Sequence, residues 1–335
     1  MSNYGLLING ELVKSDMTLD VINPATEEVF TQVPRADEAM LDQAVAGAKV
    51  AAAKWALTDI DERKALIHKI ADAINANIEP LAKALTQEQG KPLAAATMEV
   101  QYAEIFCRYF TSLNLENEVL VDDENQRVEV QRTPLGVVAG ILPWNFPLLI
   151  GIYKIAPSIL AGNSIILKPA PTTPVVSVML GEILKDVVPA GLVNILVDDN
   201  DLGPKITSHP GIDKISFTGS TPTGKAIMSS AASTLKRITL ELGGNDAAIA
   251  LDDIDVKAAA QGIFNTAFIN SGQVCIALKR LYAHESIYDE LCEEIASLAR
   301  QAVVGNGLDE ATQFGPVQNK MQYAKVCDYL EDAKA

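Results

Sequence analysis

The feature that most constrains this chain is a rhythm that starts at Gly136 and runs to Glu241. Continuous apolar runs at 137–142, 164–168, 192–197, 212–217 and 237–241 alternate with helix-like segments near 148–161, 174–186, 201–208 and 222–231. Strands that are apolar along their whole length, not at every second residue, belong in a sheet covered on both faces. Repeated strand–helix units of this kind predict a parallel, doubly wound α/β sheet, with its ligand site beyond the C-terminal ends of the strands. The residues that interrupt the pattern fall at those ends: Trp144 and Asn145 after the first strand, Lys168 after the second, Gly219 and Ser220 after the fourth, and Glu241 closing the fifth.

The flanking segments read differently. Residues 4–33 suggest short strands, with turns at Asn9-Gly10 and at Asn23-Pro24-Ala25-Thr26. Four helices are expected next. The first runs from Asp37 with Met40, Leu41, Ala44, Val45 and Ala48 on one face, and the second from about Asp59 with Leu66, Ile67, Ile70 and Ile74. The third runs from Glu79 to a stop at Gly90-Lys91-Pro92, and the fourth covers 93–113. In 116–134, Val119, Val121, Val128 and Val130 alternate with polar residues around an acidic turn, which predicts a β-hairpin with one wet face. Such an arm is too small to fold alone and is expected to pack on another domain or subunit. Beyond Gly243-Gly244 a second α/β pattern begins, with strands at 247–251 and 278–283 and helices near 255–269 and 286–302.

At 335 residues the chain has room for about two domains. A net charge of −16 and a pI near 4.6 argue against a nucleic-acid surface, which needs a basic patch. The four cysteines, Cys107, Cys275, Cys292 and Cys327, form no CxxC pair, which suits free thiols in a reducing compartment better than a disulfide framework or zinc site. The opening MSNYGLLINGELVKSD lacks a basic stretch and a long apolar core, so no signal peptide is read and the cytoplasm is expected. The apolar run Gly136–Gly162 carries Asn145 and Lys154 and is interrupted by Pro143, Pro147 and Pro157. It reads as buried strand, loop and helix and not as a membrane span.

Chemistry gathers in the stretch Glu241 to Cys275. A lone cysteine is usually a buried small hydrophobe, yet Cys275 follows Asn270-Ser271-Gly272-Gln273, a polar turn after a helix. Only a thiolate attacks carbon, and an ordinary thiol titrates near about 8.5. Glu241 is either a solvated strand-end carboxylate or a base, and Gly243-Gly244 beside it permits close approach of a ligand. Asn145, between Pro143 and Pro147, is either a turn residue or an amide held to donate to an oxyanion. The Gly219-Ser220 turn enters a helix, where backbone amides favour phosphate. It nearly spells a P-loop through Gly224 and Lys225, with Asp252-Asp253 downstream, but Ala226 stands where the magnesium-binding hydroxyl is required, so an NTPase is disfavoured. His68, His209 and His284 are isolated, and neither HExxH nor GxSxG occurs, so metal and serine hydrolases are poor fits.

Taken together, PWNFP (143–147), LKPA (167–170), FTGST (217–221), LELGG (240–244), GQVC (272–275) and GPVQN (315–319) resemble the NAD(P)-dependent aldehyde dehydrogenase superfamily in order and spacing. The resemblance implies a Rossmann-like cofactor domain from 1–115 and 135–242, a β-hairpin oligomerisation arm at 116–134, and a second α/β catalytic domain at 243–335. It implies Cys275 as nucleophile, Asn145 and the Cys275 amide as oxyanion donors, and Glu241 as the base that activates water, with Lys154 in the catalytic set. Cofactor contacts would come from Trp144, Lys168, Pro171, Gly219, Ser220, Thr223 and Leu242, with no metal. The substrate would be a small aldehyde, the cofactor NAD or NADP, and the assembly a homodimer or homotetramer, with no nucleic-acid or membrane partner. A CoA-acylating relative typically lacks the glutamate present here as Glu241; a non-catalytic dinucleotide-binding member is the alternative. Residues Phe268 to Asn270 are expected to line the substrate pocket. Many NAD-preferring relatives carry a glutamate three residues after the cofactor lysine; Pro171 stands there, which leaves NADP open. Relatives also continue past this chain's last residue with a segment carrying an EIFGP-type glutamate. The chain is therefore expected to end within the catalytic domain, with an exposed apolar face and little or no turnover alone.

Overall fold

The computed structural model describes residues 4–335. Two antiparallel pairs come first, β1 (Leu6–Ile8) with β2 (Glu11–Val13) and β3 (Thr18–Asn23) with β4 (Glu28–Pro34). Asn9 and Gly10 join the first pair with φ of 52° and 84°, the left-handed backbone a two-residue hairpin turn requires. Four helices follow: α1 (Glu38–Trp55), α2 (Ile60–Asn75), α3 (Ile78–Gln89) and α4 (Leu93–Thr111). Asp37 and Asp59 cap the first two by accepting the Met40 and Asp61 amides. Gly90, at φ 96°, closes α3.

The hairpin of β5 (Glu118–Asp122) and β6 (Arg127–Val130) forms, but not with the single wet face expected of it. Val119, Leu120, Val128 and Val130 are all exposed, so the chain itself buries neither face. The register shifts between Val119 and Val121, and this bulge breaks the strict alternation that a one-sided hairpin needs.

The central unit alternates β7 (Val137–Ile141), α5 (Pro147–Leu160), β8 (Ser164–Lys168), α6 (Val175–Leu184), β9 (Val193–Ile195), α7 (Gly203–Ser208), β10 (Lys214–Thr218), α8 (Thr221–Ala231) and β11 (Arg237–Glu241). All five strands are parallel, in the order β11-β10-β7-β8-β9. The chain starts in the middle, builds outward to β9, then returns to add β10 and β11 on the other side of β7. Direction reverses between β7 and β10, the switch point where such sheets bind ligands. Successive strand residues point to opposite faces. Val138, Ile165, Leu167, Val193 and Ile195 pack with residues of α2 to α6. Val137, Ala139, Ile141, Ile166, Ile215 and Phe217 pack with residues of α1, α7 and α8.

Beyond β11 lies a thinner layer. β12 (Asp246–Ala250) pairs in parallel with β13 (Leu278–Ala283), and α9 (Val256–Phe268) and α10 (Tyr288–Gln301) cover one side through Ala250, Ala260, Ile287 and Leu291. Ile249 and its register partner Tyr282 are exposed, as are Leu251 and Ile276. Before the last helix, α11 (Lys320–Lys334), the chain returns to the end of α3. There the Leu93 amide donates to the Gly307 carbonyl at 2.9 Å. Gly315 lies so close to Gly90 that a Cβ at 315 would stand 1.9 Å from the Gly90 carbonyl oxygen. Gly315→Ala is therefore expected to lower stability by ~3 kcal/mol, at the upper end of overpacking costs. The check is a lower urea midpoint at unchanged m; an unchanged midpoint would mean the two backbones part at little cost.

Candidate active site

The loop after β7 carries Trp144 and Asn145, both half-buried, and is anchored from below. Lys91, just past the end of α3, donates from Nζ to the Asn145 carbonyl at 2.9 Å and lies 4.0 Å from the centre of the Phe146 ring. The same ammonium forms a buried ion pair with Glu99 of α4. Glu99 spends its other oxygen on the first turn of α5, accepting the Leu148 and Leu149 amides at 3.1 and 3.2 Å. These are donors that a helix start leaves without an intrahelical partner. Burial pulls the Lys91 ammonium below the usual lysine range, and Glu99 opposes that shift.

A second buried carboxylate, Glu88, caps α6 in the same way, accepting the Val175 amide at 2.6 Å and the Val176 amide at 3.0 Å. Burial pushes its carboxyl up to about 8; the two amide bonds and Lys91 pull against this, while the Glu99 charge adds to it. Sequence reasoning missed Lys91, Glu99 and Glu88. A signal existed for Glu99, which falls on the buried stripe of α4 with Ala96, Val100, Ala103 and Cys107.

The cysteine loop follows α9. Asn270, Ser271 and Gly272 take φ of 51°, 57° and 75°, three left-handed residues in succession. Such a turn is sparsely populated for residues with a Cβ and persists when its surroundings over-determine it. Here they do. Ser271 Oγ donates to the Gly315 carbonyl at 2.8 Å, and Gln273 Nε2 donates to the Asn270 carbonyl at 3.0 Å. The Gln318 amide donates to Gln273 Oε1 at 2.9 Å, and Gln318 Nε2 donates to the carbonyls of Glu88 and Thr172, both at 3.1 Å.

Three loops meet around Cys275, which is half-buried. Asn145 Nδ2 donates to the Gln273 carbonyl at 2.9 Å. The Gly244 amide donates to the Cys275 carbonyl at 3.2 Å, which brings the turn after β11 to the thiol's own residue. Glu241 lies on that strand end and is exposed. Lys154, buried in α5, donates to Ser216 Oγ and Thr218 Oγ1, both at 3.0 Å. Burial lowers its ammonium to about 8, with the Glu241 carboxylate pulling up and Lys214 pushing down. Cys107 is a different case: it is buried in α4, and burial pushes its thiol up to about 12. Phe268 lines an apolar cavity of about 220 Å³ with Phe264, Val304 and Phe314.

The remaining expected residues lie along the same sheet edge. Lys168 ends β8, with Nζ 2.7 Å from Asp198 Oδ1 and donating to Asn200 Oδ1 at 3.1 Å. Ser220 caps α8, its Oγ accepting the Thr223 amide at 3.4 Å and lying 2.9 Å from Thr223 Oγ1. A Cβ at Gly219 would meet the Phe217 ring at 2.5 Å, so the strand-to-helix turn stays bare. Leu242 flanks Gly224 of the same helix, and Pro171 is half-buried in the turn after β8. A bare turn, a helix N-terminus and a strand-end lysine fit a dinucleotide. Asp198 Oδ1 fits it too, being a buried acceptor with no hydrogen-bond partner beyond its ion pair. Among the described residues no cluster of three His, Cys, Asp or Glu is placed to hold a metal ion, and no helix is long and apolar enough to cross a membrane.

The fold and this site define a doubly wound α/β enzyme. The aldehyde dehydrogenase family profile matches residues 12–335. A probable aldehyde dehydrogenase from Pseudomonas sp is 39% identical over 330 residues, which is 98% of this chain and 68% of that protein. Among solved structures, an aldehyde dehydrogenase from Brucella melitensis superposes with a TM-score of 0.95 at 36% identity, over 99% of this chain and 70% of that one. An NADP-dependent enzyme from E. coli does so at 0.95 and 33%, over 98% and 70%. The chain belongs to the aldehyde dehydrogenase family. With that membership come its class, an oxidoreductase, and its cofactor, NAD or NADP.

Two outcomes follow for the anchor. Lys91→Met leaves Glu99 as a buried, uncompensated charge and is expected to cost ~3–5 kcal/mol, most of it recovered in the Lys91→Met/Glu99→Gln double variant. Urea denaturation of the four proteins measures the coupling, and additive losses would refute it. For Glu88 the folded carboxyl sits near 8 against 4.5 when free, so the fold favours its protonated form. Its contribution is complete below about 4.5 and is lost as the pH rises through about 8. Glu88→Gln should flatten that decline in a series of melts from pH 4.5 to 8.5; an unchanged slope would assign the decline to other groups.

Proposed function

We propose that the site in this chain serves the oxidation of a small aldehyde to a carboxylic acid through a thiohemiacetal and a thioester on Cys275. The observation that carries the reading is the pair of hydrogen bonds, Asn145 Nδ2 to the Gln273 carbonyl and Gly244 amide to the Cys275 carbonyl, which draws three loops round one thiol. Cys275 Sγ adds to the carbonyl carbon, and the displaced electron pair goes to oxygen. Asn145 Nδ2 exchanges its bond with Gln273 for that oxyanion, joined by the Cys275 amide. NAD or NADP, held by the residues at the strand ends, would supply the acceptor for the hydride that leaves the carbon. The oxyanion then re-forms a carbonyl as the thioester. Glu241 takes a proton from water, which adds to the thioester and expels the Cys275 thiolate with release of the acid. Lys154, buried in α5, places a cation within electrostatic reach of the Glu241 carboxylate.

In the same reading Trp144, Lys168, Pro171, Gly219, Ser220, Thr223 and Leu242 hold the cofactor. Residues 1–115 with 135–242 form its domain, 243–335 the catalytic domain, and 116–134 an arm that covers its exposed valines in a homodimer or homotetramer. Four free cysteines suit the cytoplasm.

The test follows NAD(P)H absorbance with a panel of aldehydes. Cys275→Ser should abolish reduction, and Asn145→Ala should lower kcat by ~10²–10³-fold. Glu241→Gln should keep a single-turnover burst while steady-state turnover falls by ~10²-fold or more. Equal loss of burst and steady state in Glu241→Gln would remove the glutamate from the hydrolytic step.

A further inference from the structure

Lys168 is not the free cation that its position at a strand end suggests. Its side chain is 5% exposed and faces Asp198, 0% exposed, at 2.7 Å. Asp198 is fixed in turn, because its Oδ2 accepts the Leu202 amide at 3.0 Å ahead of α7. The loop from Asp198 to Asp201 adds two more carboxylates. Asp201 and Asp199 lie 2.8 and 3.9 Å from Arg35, the other cation there. Three carboxylates thus meet two cations, and one negative charge is left over. Pro171, in the turn after Lys168, contributes neither a charge nor a side-chain donor.

We propose that Asp198 is a specificity-determining residue that makes this chain favour NAD over NADP. The inference rests on the reading of Lys168 as a contact to the adenosine ribose. A ribose with two hydroxyls can share a lysine whose charge is already neutralised. A 2′-phosphate brings about two negative charges and needs an uncompensated cation to meet them. Here it meets a lysine already paired, backed by an acidic loop. The carboxylate expected at position 171 is supplied from the loop after the neighbouring strand β9. It acts through the charge of Lys168.

The full chain is titrated calorimetrically with NAD and with NADP at low salt. The expected result is NAD binding at least ~10-fold tighter, since like-charge juxtaposition costs several kcal/mol. Added salt narrows the gap by screening the exposed Asp199 and Asp201. Asp198→Asn keeps the shape and the Leu202 contact but returns a net charge to Lys168. It should narrow the NAD to NADP ratio several-fold by tightening NADP. Should loss of the buried partner unfold that variant, the exposed double variant Asp199→Asn/Asp201→Asn shifts the ratio the same way. NADP binding as tightly as NAD, or a ratio unmoved in the folded variants, would overturn the proposal. If neither dinucleotide binds the unaltered chain, or Lys168→Ala leaves both affinities intact, the ribose reading itself fails and takes this one with it.

Discussion

A buried lysine and glutamate hold the loop that brings Asn145 to the thiol. Lys91 and Glu99 each have only about 1% of their side chains in contact with water. Either charge alone at that depth would be expelled or neutralised. As a pair they persist, and each has capacity left for the backbone. Glu99 turns to the first amides of α5, Lys91 to the carbonyl of Asn145. The α5 end of the loop between β7 and α5 is thus gripped twice by one ion pair. Removing one partner of such a pair costs ~3–5 kcal/mol against a total domain stability of ~5–15. The anchor therefore matters to folding and to the site at once.

The second support is the strap from Gly305 to Gln318. It lies against the bare backbone at Gly90 because Gly307 and Gly315 carry no Cβ. From there Ser271 and Gln273 are held through Gly315 and Gln318, and Gln318 reaches Glu88 and Thr172 in turn. The left-handed run at Asn270–Gly272 costs conformational energy, and these bonds offset it. The helix-capping carboxylates, the strap and the cysteine turn form one connected polar network, in which each member restricts the next.

Much of the fold is legible in the sequence because the relevant signals are local. Burial on both faces writes itself as unbroken apolar strands, and all five strands begin within two residues of the runs read from sequence. Helix starts at Asp37 and Asp59 and the stop at Gly90 depend on neighbours one to three residues away. The hairpin is legible as a hairpin, but its exposure is not, because what covers a strand face depends on elements far away in sequence.

For the site, residue types and order point to Cys275, Glu241 and Asn145, since these chemistries are scarce and occur in recognisable company. The supports escaped notice because buried charges look like surface charges in a string of letters. Lys91 and Glu99 are separated by eight positions, Glu88 and Gln318 by 230. Cofactor preference shows the limit most plainly. The sequence by itself determines that no carboxylate stands at 171. Only the tertiary structure decides that Asp198, thirty residues after Lys168, stands beside it at 2.7 Å. The reason is that β8 and β9 are hydrogen-bonded neighbours, and strand pairing brings distant charges to one edge while hydrophobic periodicity carries no record of which charges will meet there.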